Sequence, residues 1–374
     1  MSVEGDRLSV RAKYTLLAAI TVALLALTVA AAEIAIRVRQ TLKYGSHARV
    51  EEYYTHDEKS GLRVPIAGLK LGKIEVNSLG FRGPEIKTPK PDGTVRIAFL
   101  GASTTWCAEV SSNSKVWAHL VTEGLQQANP AVRLDYVNGG VSGFGVDASL
   151  RNLQHRVAPL QPDIVVIYHA TNDMSSELRA VAAARGVAAS ASVRSESWLA
   201  RQSLLWNLAE KNWRIWQAQR DADSNVGRLE VDAETLGEPF RKDLTELVLA
   251  AKRAAKVVAL ATFSTQLRIE QSAEDKRRAS ASAMYYMPFM HPDGLIASYR
   301  RYNQVIREVA AATGAVLIDG EDTIPGDSRH FTDTVHFTDA GSERMAVRVR
   351  DALSGNEAVR SVLRSGVAKN AAPR

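Results

Sequence analysis

From residue 95 onward, short apolar runs alternate with amphipathic stretches, and few folds accept that rhythm. "VRIAFLG", "RLDYVNGG", "DIVVIYHA", "KVVALATF" and "AVLIDG" are runs bounded by Gly, Pro and Asp, and each reads as a buried strand. Between and after them, "SKVWAHLVTEGLQQA", "DASLRNLQHRVAPL", "FRKDLTELVLAAKRAA", "YRRYNQVIREVAAATG" and "DAGSERMAVRVRDAL" carry apolar residues at helical spacing. Strands that alternate with helices and are apolar on both faces predict a parallel sheet covered on both sides. The expected fold is therefore α/β, three layers α/β/α around a five-stranded parallel sheet, over about residues 91–356. In such sheets ligands bind at the carboxyl ends of the strands.

The amino-terminal part reads differently. Residues 14–32, "YTLLAAITVALLALTVAAA", carry no charge and are long enough to cross a hydrocarbon core as a helix. Arg7, Arg11 and Lys13 precede the run, as in a signal sequence or signal anchor, and "AAAE" offers small residues for cleavage. The run exceeds the apolar core of a usual signal peptide, so an uncleaved single-pass anchor over 14–36 is expected, after a short tail of residues 1–13. Arg37, Arg39 and Lys43 follow it, so the bias of flanking cations nearly cancels. The position of the segment favours the tail inside and the bulk of the chain outside the cytoplasm. Residues 37–90 hold turn signals, "NSLGFRGPE" and "PKPDG", and read as a small extended segment packed on the main domain. Residues 175–235 interrupt the alternation with a polar, helical stretch bearing Trp198, Trp206, Trp213 and Trp216, either a cover for the site or a packing excursion. Residues 357–374 read as a disordered basic tail.

The net charge of +6 is spread along the chain, and "KRAAK" and "DKRR" lack interleaved aromatics, so no nucleic-acid partner is expected. One cysteine, Cys107, permits neither an internal disulfide nor a cysteine zinc cluster.

Polar residues collect where the strands end. The first strand delivers Ser103, the second Asn138, Gly139, Gly140 and Gly143, and the third Asn172 and Asp173; Asp333 and His336 follow the last. A serine needs a base to take its proton, and the base needs a partner to fix its tautomer. His336 can be that base and Asp333 its partner. The N–H groups of Ser103 and Gly140 and the amide of Asn172 can converge on a developing oxyanion. His330 competes with His336, and His330, Asp333 and His336 share a three-residue spacing. A single carboxylate between two histidines on a loop points away from metal, so none is expected. His169 reads as a core histidine and Asp147 as a helix cap.

In these blocks the sequence resembles the SGNH (GDSL-like) hydrolase family. "GAS" stands for the family's GDS, "NGGVSG" for its glycine block, "ATND" for GxND and "DTVH" for DxxH, in order over roughly residues 95–355. "NSLGFRGPE" is similar to an element found ahead of the catalytic domain in membrane-anchored members. The resemblance implies Ser103 as nucleophile, Asp333 and His336 as its partners, and Gly140 and Asn172 as oxyanion donors. It also implies ester hydrolysis or transfer without metal or cofactor. Ala102 and Ala170 depart from the family's aspartate and glycine. A serine esterase acting on an ester outside the cytoplasm is expected, with O-acetyl groups on an envelope carbohydrate as substrate. The alternatives are an acyltransferase with the same triad, hydrolysis of a lipid or thioester, and a non-catalytic envelope binding protein.

Overall fold

The computed structural model describes residues 9–44, 53–187, 197–223 and 229–371. Parts of the expected short tail, of the 37–90 segment, of the 175–235 interruption and of the basic tail lie outside these residues. The chain divides into two compact units, one of Met1–His47 with Ser195–Trp213 and one of Ala48–Arg194 with Arg214–Arg374.

In the smaller unit, helix α1 runs over Val10–Tyr44. Its apolar stretch is exposed along its length and long enough to cross a membrane. The helix outlasts the expected 14–36 span because Arg37, Arg39 and Lys43 are good helix formers and no glycine or proline intervenes before Gly45.

In the larger unit, β1 (Tyr54–Asp57) pairs antiparallel with β2 (Leu62–Pro65), and β3 (Lys70–Leu71) with β4 (Ile74–Glu75). Tyr53, Tyr54, Leu62 and Val64 pack on Val141, Phe144 and Ala148, so the first hairpin lies against the loop after the second strand of the main sheet. That sheet contains β5 (Thr94–Gly101), β6 (Arg133–Asn138), β7 (Ile164–Tyr168), β8 (Val257–Ala261) and β9 (Val316–Ile318). All pairs are parallel, in the order β6-β5-β7-β8-β9. Every residue of β7 and β8 is buried, as continuous Val/Ile/Leu runs require when both faces are covered.

The helices of this unit are α2 (Ser103–Trp106), α3 (Trp117–Ala128), α4 (Val146–Asn152), α5 (Thr171–Ala184), α8 (Glu238–Ala254), α9 (Ala273–Ala279), α10 (Ala281–Tyr286), α11 (Pro292–Thr313), α12 (Asp339–Gly355) and α13 (Glu357–Ala371). Between α5 and α8 run α6 (Trp198–Gln202), in the smaller unit, and α7 (Leu204–Asp223), which starts there. Helices α3, α12 and α13 cover one face of the sheet, and α4, α8 and α11 the other. The expected three-layer fold is present.

Two boundaries differ from the sequence reading. The interruption begins inside α5, which already carries Asn172. The supposed disordered tail is α13, with Val359, Val362 and Leu363 buried at i, i+3 and i+4. These three apolar residues among charges are enough to dock a last helix beside β5.

The strand order reverses around β5, with β6 on one side and β7 on the other. Their carboxyl ends open the crevice that such a switch point creates. Ser103 stands there.

Candidate functional site

Strand β5 ends at Gly101, and Ser103 opens the four-residue helix α2. A helix this short has no stability of its own. Its carbonyls are held from outside. The Trp117 indole N–H donates to Thr104 O at 3.0 Å, Asn138 Nδ2 to Thr105 O at 2.9 Å, and Arg82 Nη1 to Trp106 O at 2.8 Å and to Cys107 O. Arg82 is almost wholly buried, and its Nε donates to Asn113 Oδ1 at 2.8 Å. Burial pushes its guanidinium pKa down. Arg82 comes from "NSLGFRGPE", whose Asn77 and Glu85 fold the loop on itself: Asn77 Oδ1 accepts from Leu79 and Phe81 N–H, and Glu85 from Ser78. The motif thus carries a cation to the end of the helix that Ser103 opens. Burial raises the Cys107 thiol to about 12, so this cysteine is inert.

Ser103 Oγ lies 2.8 Å from His336 Nε2. On the other side of the ring, Nδ1 lies 2.8 Å from Asp333 Oδ2 and 3.0 Å from Oδ1. Asp333 Oδ1 also accepts the N–H groups of Val335 and His336, each at 2.9 Å. Burial pushes the Asp333 carboxyl up, but the bond and charge of His336 with the two N–H groups outweigh it and hold the group below the usual carboxylate range. An ionised Asp333 holds Nδ1 as the protonated nitrogen of His336, with Nε2 turned to Ser103 Oγ as the acceptor.

The competing histidine belongs to a second pair of the same form. His330 Nδ1 lies 2.7 Å from Asp327 Oδ1, three residues earlier. This pair precedes the turn that carries Asp333 and His336, which is closed by the Phe331–Phe337 bridge, with Thr332 N–H donating to His336 O and Thr338 N–H to His330 O. Only His336 reaches the serine; His330 is buried on its own aspartate.

The oxyanion donors divide. At the amino end of α2, Ser103 N–H has no intrahelical acceptor. Asn172, at the start of α5, donates from Nδ2 to Phe144 O at 2.9 Å. The Gly140 N–H, by contrast, already donates to Asn138 Oδ1 at 3.0 Å. Gly140 is required for another reason: a Cβ there would stand 2.6 Å from Trp106 N, against α2. Gly143, in the same loop, takes φ +86° and its N–H donates to no group among the described residues. The Gly140 N–H, expected as a donor, is thus engaged within its own loop, while that of Gly143 is not engaged among the described residues, at a position only glycine favours. Asp173 clamps the same loop, accepting from Val146 N–H at 2.9 Å, and burial raises its carboxyl to about 7.

His169 is a core histidine, as expected: it is buried, its Nε2 lies 2.7 Å from Ser149 Oγ, and burial lowers it to about 3. Asp147 lies in the first turn of α4, but the capping position is Gly145, and the side chain that meets the first N–H of the helix, Val146, is Asp173.

With the geometry in place, the comparisons are decisive at the level of family. Residues 99–344 match the GDSL-like lipase/acylhydrolase family, about two thirds of the chain. The chain belongs to this family. Comparison with curated proteins gives no match. Among solved structures, Axe2, an acetylxylan esterase from Geobacillus stearothermophilus, is 18% identical, with 71% of this chain and 97% of that chain covered and a TM-score of 0.41. A lipase/acylhydrolase from Enterococcus faecalis is 17% identical, with 70% and 96% covered and a TM-score of 0.42. LAE5, an alpha/beta hydrolase enzyme from the metagenome of Lake Arreo, Spain, is 19% identical, with 69% and 94% covered and a TM-score of 0.41. Likenesses at these scores carry no further argument. As a GDSL-like acylhydrolase the chain is a serine ester hydrolase. Its two departures from the family blocks, Ala102 and Ala170, are both buried beside the crevice: Ala102 directly precedes Ser103 and Ala170 is the residue before α5. Neither removes a group of the Ser103–His336–Asp333 arrangement.

Proposed function

We propose that this GDSL-like hydrolase cleaves its ester through an acyl-enzyme on Ser103. Ser103 Oγ attacks the carbonyl carbon while its proton passes to His336 Nε2. The tetrahedral oxyanion is met by Ser103 N–H, Gly143 N–H and the Asn172 side-chain amide. Collapse expels the alcohol, which takes the proton from His336. Water, deprotonated by the same nitrogen, then attacks the acyl-serine and releases the acid. Asp333 stays ionised throughout and stabilises the imidazolium. The observation that carries this reading is the continuous chain from Ser103 Oγ to His336, 2.8 Å, and on to Asp333, 2.8 Å.

We propose further that α1 anchors the enzyme in a membrane with its larger unit outside the cytoplasm, and that the substrate is an O-acetyl group on an envelope carbohydrate. The support is the apolar length of α1, with Arg7, Arg11 and Lys13 ahead of it, together with the family's acyl chemistry.

The test is hydrolysis of p-nitrophenyl esters of increasing chain length by the wild type, Ser103→Ala and His336→Ala. The expected result is a preference for acetate and loss of turnover in both variants. Equal rates in all three folded proteins contradict the mechanism, and a preference for long chains contradicts the acetyl assignment alone.

A further inference from the structure

The smaller unit ties a second piece of chain to the end of the apolar helix. The uncharged run 14–32 spans about 28 Å at helical rise, close to the thickness of a hydrocarbon core. Glu33 is the first charged residue after it and pairs with Arg37 at 2.7 Å, so the polar boundary falls at this turn of α1. The same carboxylate accepts from Ser203 Oγ at 2.8 Å, Leu204 N–H at 3.1 Å and Leu205 N–H at 2.9 Å. It therefore caps the amino end of α7 and fixes that end at the level of residue 33. Helix α6 is folded back along the first turns of α7: Ser197 Oγ accepts from Ala200 N–H at 3.1 Å and donates to Glu210 at 2.5 Å. Yet Trp198 is 65% exposed, Leu199 46% and Trp206 48%, within nine residues of chain. Three large apolar side chains in water at one spot are unfavourable. At a bilayer boundary the same side chains are favoured, because an indole places its ring in the acyl edge and its N–H among headgroups. Arg201, also exposed, adds a cation for anionic lipid.

We infer that α6 and the first turn of α7 sit in the headgroup–acyl boundary of the bilayer, with Trp198, Leu199 and Trp206 as the inserted contacts. This rests on the reading of α1 as a membrane anchor. The partner is a lipid surface rather than a protein because Glu33 sets the depth of the segment.

The experiment uses the full chain with Cys107→Ala, in vesicles of phosphatidylcholine and phosphatidylglycerol in equal parts. Spin labels are placed singly through Leu24→Cys, Trp198→Cys, Trp206→Cys and Asp92→Cys, with circular dichroism to show that each variant is folded. Accessibility to oxygen and to a neutral nickel chelate reads the depth of each label. Leu24 should report the bilayer interior, Asp92 water, and Trp198 and Trp206 a depth between them, shifted toward oxygen. If Leu24 is deep but positions 198 and 206 match Asp92, this inference falls and the anchor stands. Low accessibility to both reagents at 198 and 206 means that protein covers them, which also overturns it. If Leu24 itself reads water, the anchor reading falls, and this inference with it.

Discussion

Among the described residues, two places set a serine, a histidine and an aspartate side by side. In one, Ser103 Oγ is 2.8 Å from His336 Nε2, and His336 Nδ1 is 2.8 Å from Asp333. In the other, Ser149 Oγ is 2.7 Å from His169 Nε2, but His169 Nδ1 is 4.0 Å from Asp173. The residue types match and the chemistry does not. Asp333 accepts three N–H groups and is held ionised, whereas one oxygen of Asp173 finds no partner and burial raises its carboxyl to about 7. His336 is partly open beside a switch-point crevice; His169 is shut in the core and lowered to about 3. A hydrolytic triad thus needs an ionised orienting carboxylate bonded to an accessible base, and the three residue types side by side are not sufficient. The pair Asp327–His330 makes the complementary point: it has the carboxylate but no serine.

The largest expected effect breaks this comparison if it fails. Ser103→Ala and His336→Ala should each lower kcat by about 10⁵-fold or more, while Ser149→Ala and His330→Ala leave it within about threefold. Steady-state kinetics on folded protein check this, and comparable losses in both groups would erase the distinction. Next, Asp333→Asn should lower kcat by about 10³–10⁴-fold by releasing the wrong tautomer, with little change in KM, while Asp327→Asn leaves kcat nearly unchanged. A third variant sharpens the nucleophile's side. Arg82→Met strips the Trp106 and Cys107 carbonyls of a buried donor and should destabilise the larger unit by about 2–4 kcal/mol, read by denaturant unfolding.

The smallest effect is a pH dependence. His169 is lowered to about 3 from its ordinary 6.5. The unfolded chain therefore binds this proton more readily, and stability falls as pH drops from about 6.5 toward 3. Asp173, raised to about 7, acts in the opposite sense, favouring the fold at low pH and losing that contribution as pH rises from about 4 to 7. His169→Gln should remove the acid-side loss alone, so that unfolding free energy between pH 6 and 4 declines less steeply than in the wild type. An unchanged slope would mean that His169 does not titrate on unfolding as its burial requires.

Much of the fold was legible because buried parallel strands write themselves as continuous apolar runs, and "DIVVIYHA" and "KVVALATF" allow little else. The candidate site residues were legible as polar residues standing just past those runs, and the structure brings Ser103, His336 and Asp333 together. Three things were not. Val359, Val362 and Leu363 are interspersed with charges such as Arg360, so the sequence of α13 reads as a disordered basic tail, and it is packing on the sheet layer that orders it. Gly140 and Gly143 look alike in "NGGVSG", and it is the Asn138 side chain, accepting from the N–H two residues ahead, that engages Gly140 and not Gly143. Arg82 sits 21 positions before Ser103, and nothing in its neighbours says that its guanidinium ends on the helix that Ser103 opens.

The central claim is that Ser103, and not another serine, is activated by His336. It is tested most directly by reacting the full chain with a fluorophosphonate probe and mapping the adduct by mass spectrometry, alongside His336→Ala and His330→Ala. The account predicts a single adduct on Ser103 in the wild type and in His330→Ala, with its formation lost in His336→Ala. An adduct on a different residue, no adduct on folded wild type, or undiminished labelling in His336→Ala would contradict it.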